Sequence, residues 1–180
     1  MHWLNCALAE RDGIAATQAL SALKKNEITL GDKVLFNRAF VEGLIARMTN
    51  DERKAQLAFA AARSEQEKIV EGQPDFGPPW CVLGMIDAGL GRKEEALREG
   101  RRALELLPVE KEALVGKYLI RYFAVIAAWV GETDLACEQL AIAVRPPSNI
   151  RYGELKLMPW WDRLRGYPRF EKIVASVAPK

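Results

Sequence analysis

Few side chains in this sequence could carry out acid–base, nucleophilic or metal chemistry. The single histidine is His2, and the three cysteines, Cys6, Cys81 and Cys137, include no CxxC pair. A zinc site needs several imidazole or thiolate ligands, and a catalytic triad needs a histidine base. The sequence therefore predicts no metal site, no cofactor and no enzymatic activity. An odd number of cysteines without a paired motif indicates free thiols in a reducing cytoplasm.

Two further patterns resemble reactive motifs only superficially. Glu65, Glu67 and Glu71 share one long predicted helix. Most of their immediate neighbours are polar or charged, so the sequence does not indicate the apolar pocket that would separate their pKa values for acid–base catalysis. The stretch GLGR at 89–92 lacks the GK[ST] ending and the preceding strand of a phosphate-binding loop. We interpret the carboxylates as solvated surface and Gly91 as a helix C-cap.

The composition is that of one ordinary globular domain or one repeat array. The chain has 180 residues, of which 49% are apolar and 28% charged, enough to bury a sizeable core without disulfides or metals. Its net charge of +2, from 26 basic and 24 acidic residues, is too balanced to indicate a nucleic-acid partner. No apolar run approaches the roughly 20 residues that a membrane span needs. We therefore expect neither a nucleic acid nor a membrane as partner.

Helix formers interrupted by Gly, Pro, Asp and Asn predict an all-α chain of consecutive antiparallel hairpins. The helices are expected at about 2–10, 13–25, 33–48, 52–71, 79–90, 93–107, 110–130, 134–145 and 168–177. Four residues are expected to cap helix N-termini, because their side-chain oxygens can accept a bond from a first-turn amide: Asp12, Asp32, Asn50 and Thr133.

A spacing of small residues recurs along these helices. Gly84, Ala96 and Ala103 are separated by 12 and 7 residues. Two further triples have the same separations: Gly43, Ala55 and Ala62, and Ala124, Ala136 and Ala143. The three copies are offset by 41 and 40 residues. Small residues at such positions let paired helices approach closely, so we expect one helix hairpin per copy.

The stretch WCVLGMIDAGLGRKEEALREGRRALELLP, residues 80–108, resembles the tetratricopeptide repeat (TPR) pattern W-x2-L-G…A-x3-F…P. The matching residues are Trp80, Leu83, Gly84, Ala96, Ala103 and Pro108, whereas Asp87 and Gly100 stand where that family usually has aromatic residues. The resemblance covers residues 33–148. It implies an all-α, TPR-like α–α superhelix, or solenoid, of antiparallel helix hairpins with a C-terminal capping helix. It also implies that the chain binds protein segments in a concave groove.

On this resemblance we expect residues 1–180 to form a single array. Its parts are a degenerate leading hairpin at 1–30, repeats at 32–75, 77–108 and 110–147, and a C-terminal cap at 150–180. An array that opens in mid-pattern indicates a chain cut from a longer protein, with a natural start at Met1 as the alternative. The tail ELKLMPWWDRLRGYPRFEKIVASVAPK resembles the C-terminal TPR region of multidomain bacterial signalling proteins. This likeness implies a regulatory or scaffolding arm of a larger bacterial protein.

The first helix of each TPR hairpin lines the groove, and the matching positions form an apolar and aromatic surface with two arginines at its edges. They are Asn37, Phe40, Leu44, Arg47, Met48, Cys81, Met85, Tyr118, Arg121, Val125 and Trp129. This surface predicts a helix or peptide partner with apolar anchors and an acidic group for Arg47 or Arg121. Coverage by the chain's own terminal helices is an equal alternative, because a monomer seldom leaves a large apolar patch exposed. The Lys and Asn residues with which some TPRs hold chaperone C-termini are replaced here by apolar and aromatic residues.

The leading functional prediction is a non-enzymatic protein–protein interaction module. The alternatives are homodimerisation through the same surface and, less favoured, an enzyme fragment whose cleft offers no base to activate a nucleophile. MPWWDRLRGYPRF, residues 158–170, interleaves aromatic residues with arginines as a nucleic-acid platform does. Because an array must seal its last apolar face, we instead expect Trp160, Trp161 and Phe170 to lie in the core and Arg163 to face water.

Overall fold

Helices form most of the structure, as the sequence predicts. The computed structural model describes residues 2–30, 32–108, 113–146, 148 and 150–179. The helices within them are α1 (His2–Glu10), α2 (Gly13–Ala22), α3 (Arg38–Met48), α4 (Glu52–Gly72), α5 (Gly77–Gly89), α6 (Lys93–Leu106), α7 (Ala113–Trp129), α8 (Thr133–Ala143), α9 (Tyr152–Leu157), a 3-10 helix (Pro159–Leu164) and α10 (Pro168–Ser176). Two short strands, β1 (Glu27–Thr29) and β2 (Leu35–Asn37), pair between α2 and α3. None of the described helices is both long and apolar enough to cross a membrane.

Four helix pairs, α1/α2, α3/α4, α5/α6 and α7/α8, pack side by side and are joined by turns of one common geometry. In each turn a backbone N–H donates to the carbonyl five residues earlier, at 2.9 Å: Asp12 to Ala7, Asp51 to Ala46, Arg92 to Asp87, and Glu132 to Ala127. The residue before each donor has a positive φ: Arg11, Asn50, Gly91 and Gly131. Such a turn satisfies the carbonyls at the helix end and reverses the chain. The turns of the four pairs therefore share one backbone geometry.

The small residues at the recurring spacing lie where the paired helices touch. All nine members of the three triples are buried. A β-carbon on Gly84 of α5 would lie 3.0 Å from the carbonyl oxygen of Ala96 in α6. One on Gly43 of α3 would lie 2.7 Å from the Phe59 ring of α4. Both distances are shorter than ordinary van der Waals contacts, so these glycines set how closely the paired helices approach.

The predicted helix at 33–48 starts only at Arg38, because the residues before it form β2. Val34 and Phe36 are fully buried while Leu35, between them, is 48% exposed. This alternation has the two-residue period of a strand rather than that of a helix. Asn37 then begins α3 as its N-cap, since its side chain accepts from the Phe40 amide at 2.9 Å.

Of the predicted N-caps, Asp12 is confirmed and Asn50 is wrong. Asp12 accepts from the Ala15 amide at 2.9 Å at the start of α2. Asp51, one residue after Asn50, caps α4 instead. Asn50 takes the left-handed position of the preceding turn, where its short polar side chain is tolerated.

The other two predicted N-caps are also wrong. Asp32 lies in the loop between β1 and β2, where it accepts from the Val34 amide at 2.8 Å. Thr133 is already the first residue of α8, and Glu132 precedes it as the N-cap. The sequence also missed α9 and the 3-10 helix, both too short for a clear hydrophobic period. The predicted helix and repeat starts at 110, and the repeat end at 147, lie outside the described residues.

Two buried carboxyl groups meet between α5 and α6. Asp87 is fully buried, Glu99 is 4% exposed, and one carboxyl oxygen of each has no hydrogen-bond partner among the described residues. Arg63 of α4 donates from Nε to Asp87 at 2.8 Å. Burial, followed by the charge of Asp87, raises the pKa of Glu99 to about 8. Glu99 is therefore mostly protonated at neutral pH.

Replacing Gly84 with alanine should destabilise the fold by about 1–3 kcal/mol, because the new methyl group meets a backbone carbonyl of α6. Gly72→Ala is the matched control, since nothing lies within 4 Å of a β-carbon there. Alanine favours helix more than glycine does, so the control should be neutral or slightly stabilising. Urea unfolding followed by circular dichroism measures both variants. Equal stability of the two would contradict the close approach of α5 and α6.

The free energy of unfolding should fall as the pH rises from about 5 to 8. Folded Glu99 keeps its proton up to a pKa of about 8, against 4.5 for the ordinary side chain, so the folded state binds more protons in this window. The stabilisation is complete below the lower value and is lost as the pH rises through the upper one. Glu99→Gln should flatten this dependence, and Glu65→Gln on the exposed face of α4 should not. Urea midpoints measured across this range check the sign, and a wild-type midpoint that rises with pH would contradict it.

Candidate functional site

Nine of the eleven predicted groove residues are buried in the core. None of them is more than 7% exposed: Asn37, Phe40, Leu44, Cys81, Met85, Tyr118, Arg121, Val125 and Trp129. Arg47 and Met48, at the C-terminal end of α3, are half-buried. The structure therefore closes most of the predicted surface and leaves only its Arg47 end open to solvent.

The buried aromatic residues form one connected cluster. Phe40 of α3 lies at its centre, with ring centroids 4.8 Å from Phe36, 5.8 Å from Phe59 and 6.5 Å from Trp129. Phe59 and Trp129 are themselves 6.3 Å apart. Stacked and tilted pairs at these separations add to the stability that burial alone provides. The cluster joins β2, α3, α4 and α7.

The chain's own flanking segments cover this surface, which is one of the two states that the sequence leaves open. From the N-terminal side, β2 places Phe36 on the cluster, 5.3 Å from the Tyr122 ring. From the C-terminal side, the Trp160 carbonyl of the 3-10 helix accepts from the Trp129 indole N–H at 3.0 Å. Trp160, Trp161 and Phe170 are all buried, as predicted for core residues.

Arg121, one of the two arginines predicted to meet an acidic partner, is satisfied inside the protein. It is 4% exposed and forms ion pairs with Asp32 and, at 3.2 Å, with Glu154 of α9. The Tyr122 hydroxyl donates to Asp32 at 2.5 Å. Burial acts to lower the pKa of Arg121, but Tyr122, Glu154 and Asp32 outweigh it and hold the pKa above its usual value. This arginine therefore ties the β-hairpin and α9 to α7.

Two adjoining cavities, of about 350 and 330 Å³, open beside the covered surface. Arg47, Glu52, Trp129 and Arg163 line both of them, and we call this site the Arg47 cleft. Its four residues come from the end of α3, the start of α4, the end of α7 and the 3-10 helix. Volumes of this size are in the range of protein ligand sites. The cleft is thus a meeting point of the paired helices and the C-terminal segment.

Arg47 dominates the electrostatics of the cleft. Its guanidinium carbon lies 4.2 Å from the centroid of the Trp129 ring, in a cation–π contact. Burial, and after it the positive charge of Arg163, lower the pKa of Arg47 to about 10, against smaller opposing effects of Glu52 and Asp162. Among the residues that the structure describes, no carboxylate or carbonyl accepts a hydrogen bond from Arg47. The cleft therefore contains a partly desolvated cation without an ionic partner in this part of the chain.

The other charged groups at the rim are paired. Lys93 contacts Glu132 at 2.6 Å, and Asp162 contacts both Arg11 at 2.6 Å and Arg165 at 2.8 Å. These exposed pairs contribute little stability, yet they leave few uncompensated charges around the opening. Of the described residues that line the cleft, Arg47 and Arg163 are the cations outside these ion pairs.

Arg163 is the member of the site that sequence reasoning missed. The sequence assigned it to solvent, and its side chain is exposed, but one of its terminal nitrogens donates to the Trp129 carbonyl at 2.5 Å. No residue spacing predicts that Arg163 lines the same cavities as Arg47, since this depends on how the tail folds back onto α7. The sequence did contain the alternation of arginine and aromatic residues around Arg163, which was the available signal.

Groups suited to catalysis or metal binding are scarce in the described residues. No cluster of three or more His, Cys, Asp or Glu side chains there could hold a metal ion. Cys81 is 1% exposed, and burial, with Asp32 nearby, raises the pKa of its thiol well above the usual range. A nucleophilic cysteine needs the opposite, a lowered pKa and access to substrate. Its environment is that of a small core residue.

Asp32→Ala should destabilise the fold by about 3–5 kcal/mol, because it leaves the buried Arg121 charge with only one carboxylate. Asp134→Ala is the matched control. Its carboxylate pairs with Arg169 at 3.3 Å on the surface and is 73% exposed, so about 1 kcal/mol or less is expected. Thermal and urea unfolding measure both variants. A similar small loss for the two would show that the Arg121 ion pairs do not hold the β-hairpin in place.

Comparison of the chain with protein-family models, with curated proteins and with solved structures finds no match. The TPR resemblance of residues 80–108 accordingly stays a prediction from the sequence. The geometry of the Arg47 cleft, with its unpaired cation beside an aromatic ring, carries the functional assignment.

Proposed function

We propose that this chain is a non-enzymatic protein–protein interaction module with a TPR-like α–α solenoid, and that its Arg47 cleft binds a peptide or helix of a partner protein. The tail resembles the C-terminal TPR region of multidomain bacterial signalling proteins, which further suggests that the chain is a regulatory or scaffolding arm of a larger bacterial protein. The binding surface differs from the predicted groove in extent, because most of that groove is covered. The part that stays open contains Arg47 and Met48 and is extended by Arg163.

Recurring turn geometry supports the solenoid part of this proposal. In all four helix pairs the turn contains a backbone hydrogen bond from an N–H group to the carbonyl five residues earlier. The donor residues of these bonds follow one another at intervals of 39, 41 and 40 residues. The first of these turns falls in the segment expected to be a degenerate leading hairpin. The buried small-residue triples recur at nearly the same interval. Stacked helix hairpins of a solenoid would have these properties.

A single observation carries the binding part of the proposal: Arg47 lines an open cleft, lies on Trp129 and lacks an ionic partner in the described residues. Natural proteins seldom keep a partly buried cation unpaired, because its desolvation is unfavourable. Arginine and tryptophan are also the side chains most enriched among binding hot spots. A partner that supplies hydrogen-bond acceptors to Arg47 would compensate the cost of its desolvation.

The enzyme alternative receives no comparable support. The polar side chains that line the Arg47 cleft include no thiol, hydroxyl or imidazole: they are Arg47, Asn50, Glu52, Gln56, Lys93, Asp162 and Arg163. Glu52 accepts from Gln56 at 3.0 Å on the exposed side of α4. Cys81 lies in the core with a raised pKa. An interaction surface needs none of these groups to react.

Selection from a displayed library of random dodecapeptides tests the proposal. We expect enriched peptides that bind the purified protein in calorimetry and lose about tenfold or more in affinity on Arg47→Ala. Arg53→Ala is the matched control, because Arg53 is exposed on α4 and lies outside the cleft. Its affinity for the same peptides should equal that of the wild type.

Failure to enrich any peptide, or binding that Arg47→Ala leaves unchanged, would contradict the assignment of the site. Light scattering after size-exclusion chromatography accompanies the titrations, since homodimerisation through the same cleft would compete with peptides. A dimer that Arg47→Ala dissociates would favour self-association over a foreign partner.

A further inference from the structure

We infer that the Arg47 cleft anchors its partner through one carboxylate, held between the guanidinium groups of Arg47 and Arg163. This inference rests on the proposed function and adds to it the chemical class of the group that is bound. The sequence suggested an acidic group for Arg47 or Arg121 but did not identify Arg163 as the second contact.

Arg121 is not available as an anion site. It is 4% exposed and its charge is met by Asp32 and Glu154. Arg47, in contrast, lines both cavities of the open cleft and has no acceptor among the described residues. Of the two arginines predicted to meet an acidic partner, only Arg47 has both access and an unmet charge.

Arg163 supplies the second cation. It lines the same two cavities, and its charge acts on Arg47 strongly enough to lower the pKa of Arg47. One terminal nitrogen of Arg163 is engaged by the Trp129 carbonyl at 2.5 Å, which fixes the position of the guanidinium. Two like charges that line the same cavities repel each other, and an anion bound between them would offset that repulsion. Guanidinium groups are suited to such a role because their planar N–H groups match a carboxylate.

The balance of charge favours a single negative charge on the ligand. Lys93 pairs with Glu132 at 2.6 Å, and Asp162 is shared by Arg11 at 2.6 Å and Arg165 at 2.8 Å, two arginines that do not line the cleft. The lining groups outside these pairs are Arg47, Arg163 and Glu52, the one carboxylate that lines both cavities. Among these three groups, two cations and one anion leave one positive charge to be met. A carboxylate satisfies this balance, whereas a dianionic phosphate would exceed it and meet Glu52 with stronger repulsion.

Trp129 covers one face of the Arg47 guanidinium, so a ligand can reach that group only at its N–H edge or its other face. Its ring lies 4.2 Å from the guanidinium carbon and occupies one side of the cation. The N–H groups of Arg47, which have no acceptor in the described part of the chain, are then the available contacts. The geometry points to a ligand that approaches from the cavities rather than from the Trp129 side.

The test uses the intact chain and two small probes, the blocked amino acids N-acetyl-glutamate N-methylamide and N-acetyl-glutamine N-methylamide. NMR detection of the arginine Nε–Hε and tryptophan indole signals follows each titration. We expect saturable shifts of the Arg47 and Arg163 signals with the glutamate probe, and at least about tenfold weaker binding of the glutamine probe. Inorganic phosphate should bind more weakly than the glutamate probe.

Four variants accompany the titrations, each checked for unchanged thermal unfolding. Arg47→Ala and Arg163→Ala should each weaken glutamate binding about tenfold or more, because either removes charge-assisted hydrogen bonds. Arg53→Ala should leave binding unchanged. Arg47→Lys keeps the charge but loses the planar fork, so an intermediate affinity is expected.

Equal binding of the two probes, shifts spread evenly over exposed arginines, or tighter binding of phosphate would each overturn the carboxylate anchor. The result is separable from the proposed function. Selected peptides that lack acidic residues yet depend on Arg47 would overturn the anchor and leave the interaction module standing. Glutamate binding at Arg47 and Arg163 without any selected peptide would support the anchor and contradict the peptide-binding role.

Discussion

The buried charge of Arg121 is the constraint on which the rest of the structure depends. A guanidinium in the core is tolerated only when carboxylates and hydrogen bonds meet it there. Asp32 comes from the loop of the β-hairpin and Glu154 from α9, so two segments far apart in sequence must both dock on α7. Their docking covers the surface that the helix pairs would otherwise expose. The location of the remaining cleft follows from which part of α3 and α7 these segments leave uncovered.

The helix pairs owe their regularity to the turns between them more than to any one side chain. Gly91 and Gly131 adopt the left-handed conformation at no steric cost, and Asn50 tolerates it. Arg11 takes the same conformation at φ 60° in the first turn, although its side chain gives it no such advantage. Its guanidinium makes two bonds of 2.6 Å to Asp162. A tertiary contact thus accompanies the one turn whose residue is poorly suited to it.

The helices were predictable from the sequence because their apolar period and small-residue spacing are local properties. The spacing of positions such as Gly84 and Ala96 is enough to indicate the paired helices. The β-hairpin was missed because its strands have three residues each, too few for an alternation to stand out. The candidate site was predictable only in part. Arg47 follows from helix periodicity, whereas the placement of Arg163 in the same cleft depends on tertiary folding, which residue spacing does not show.

The position of Arg163 makes the occupancy of the cleft and the docking of the C-terminal segment interdependent. Half of the cationic site belongs to the 3-10 helix, which is held on α7 by the bonds that Trp129 makes with Trp160 and Arg163. A ligand that bridges Arg47 and Arg163 binds the docked arrangement more tightly, so it favours that arrangement by the difference in its binding free energy between the docked and undocked states. Because such coupling is reciprocal, the factor by which the ligand favours docking of the tail is also the factor by which docking of the tail strengthens ligand binding. The cleft would in this way report on the integrity of the chain's C-terminal segment.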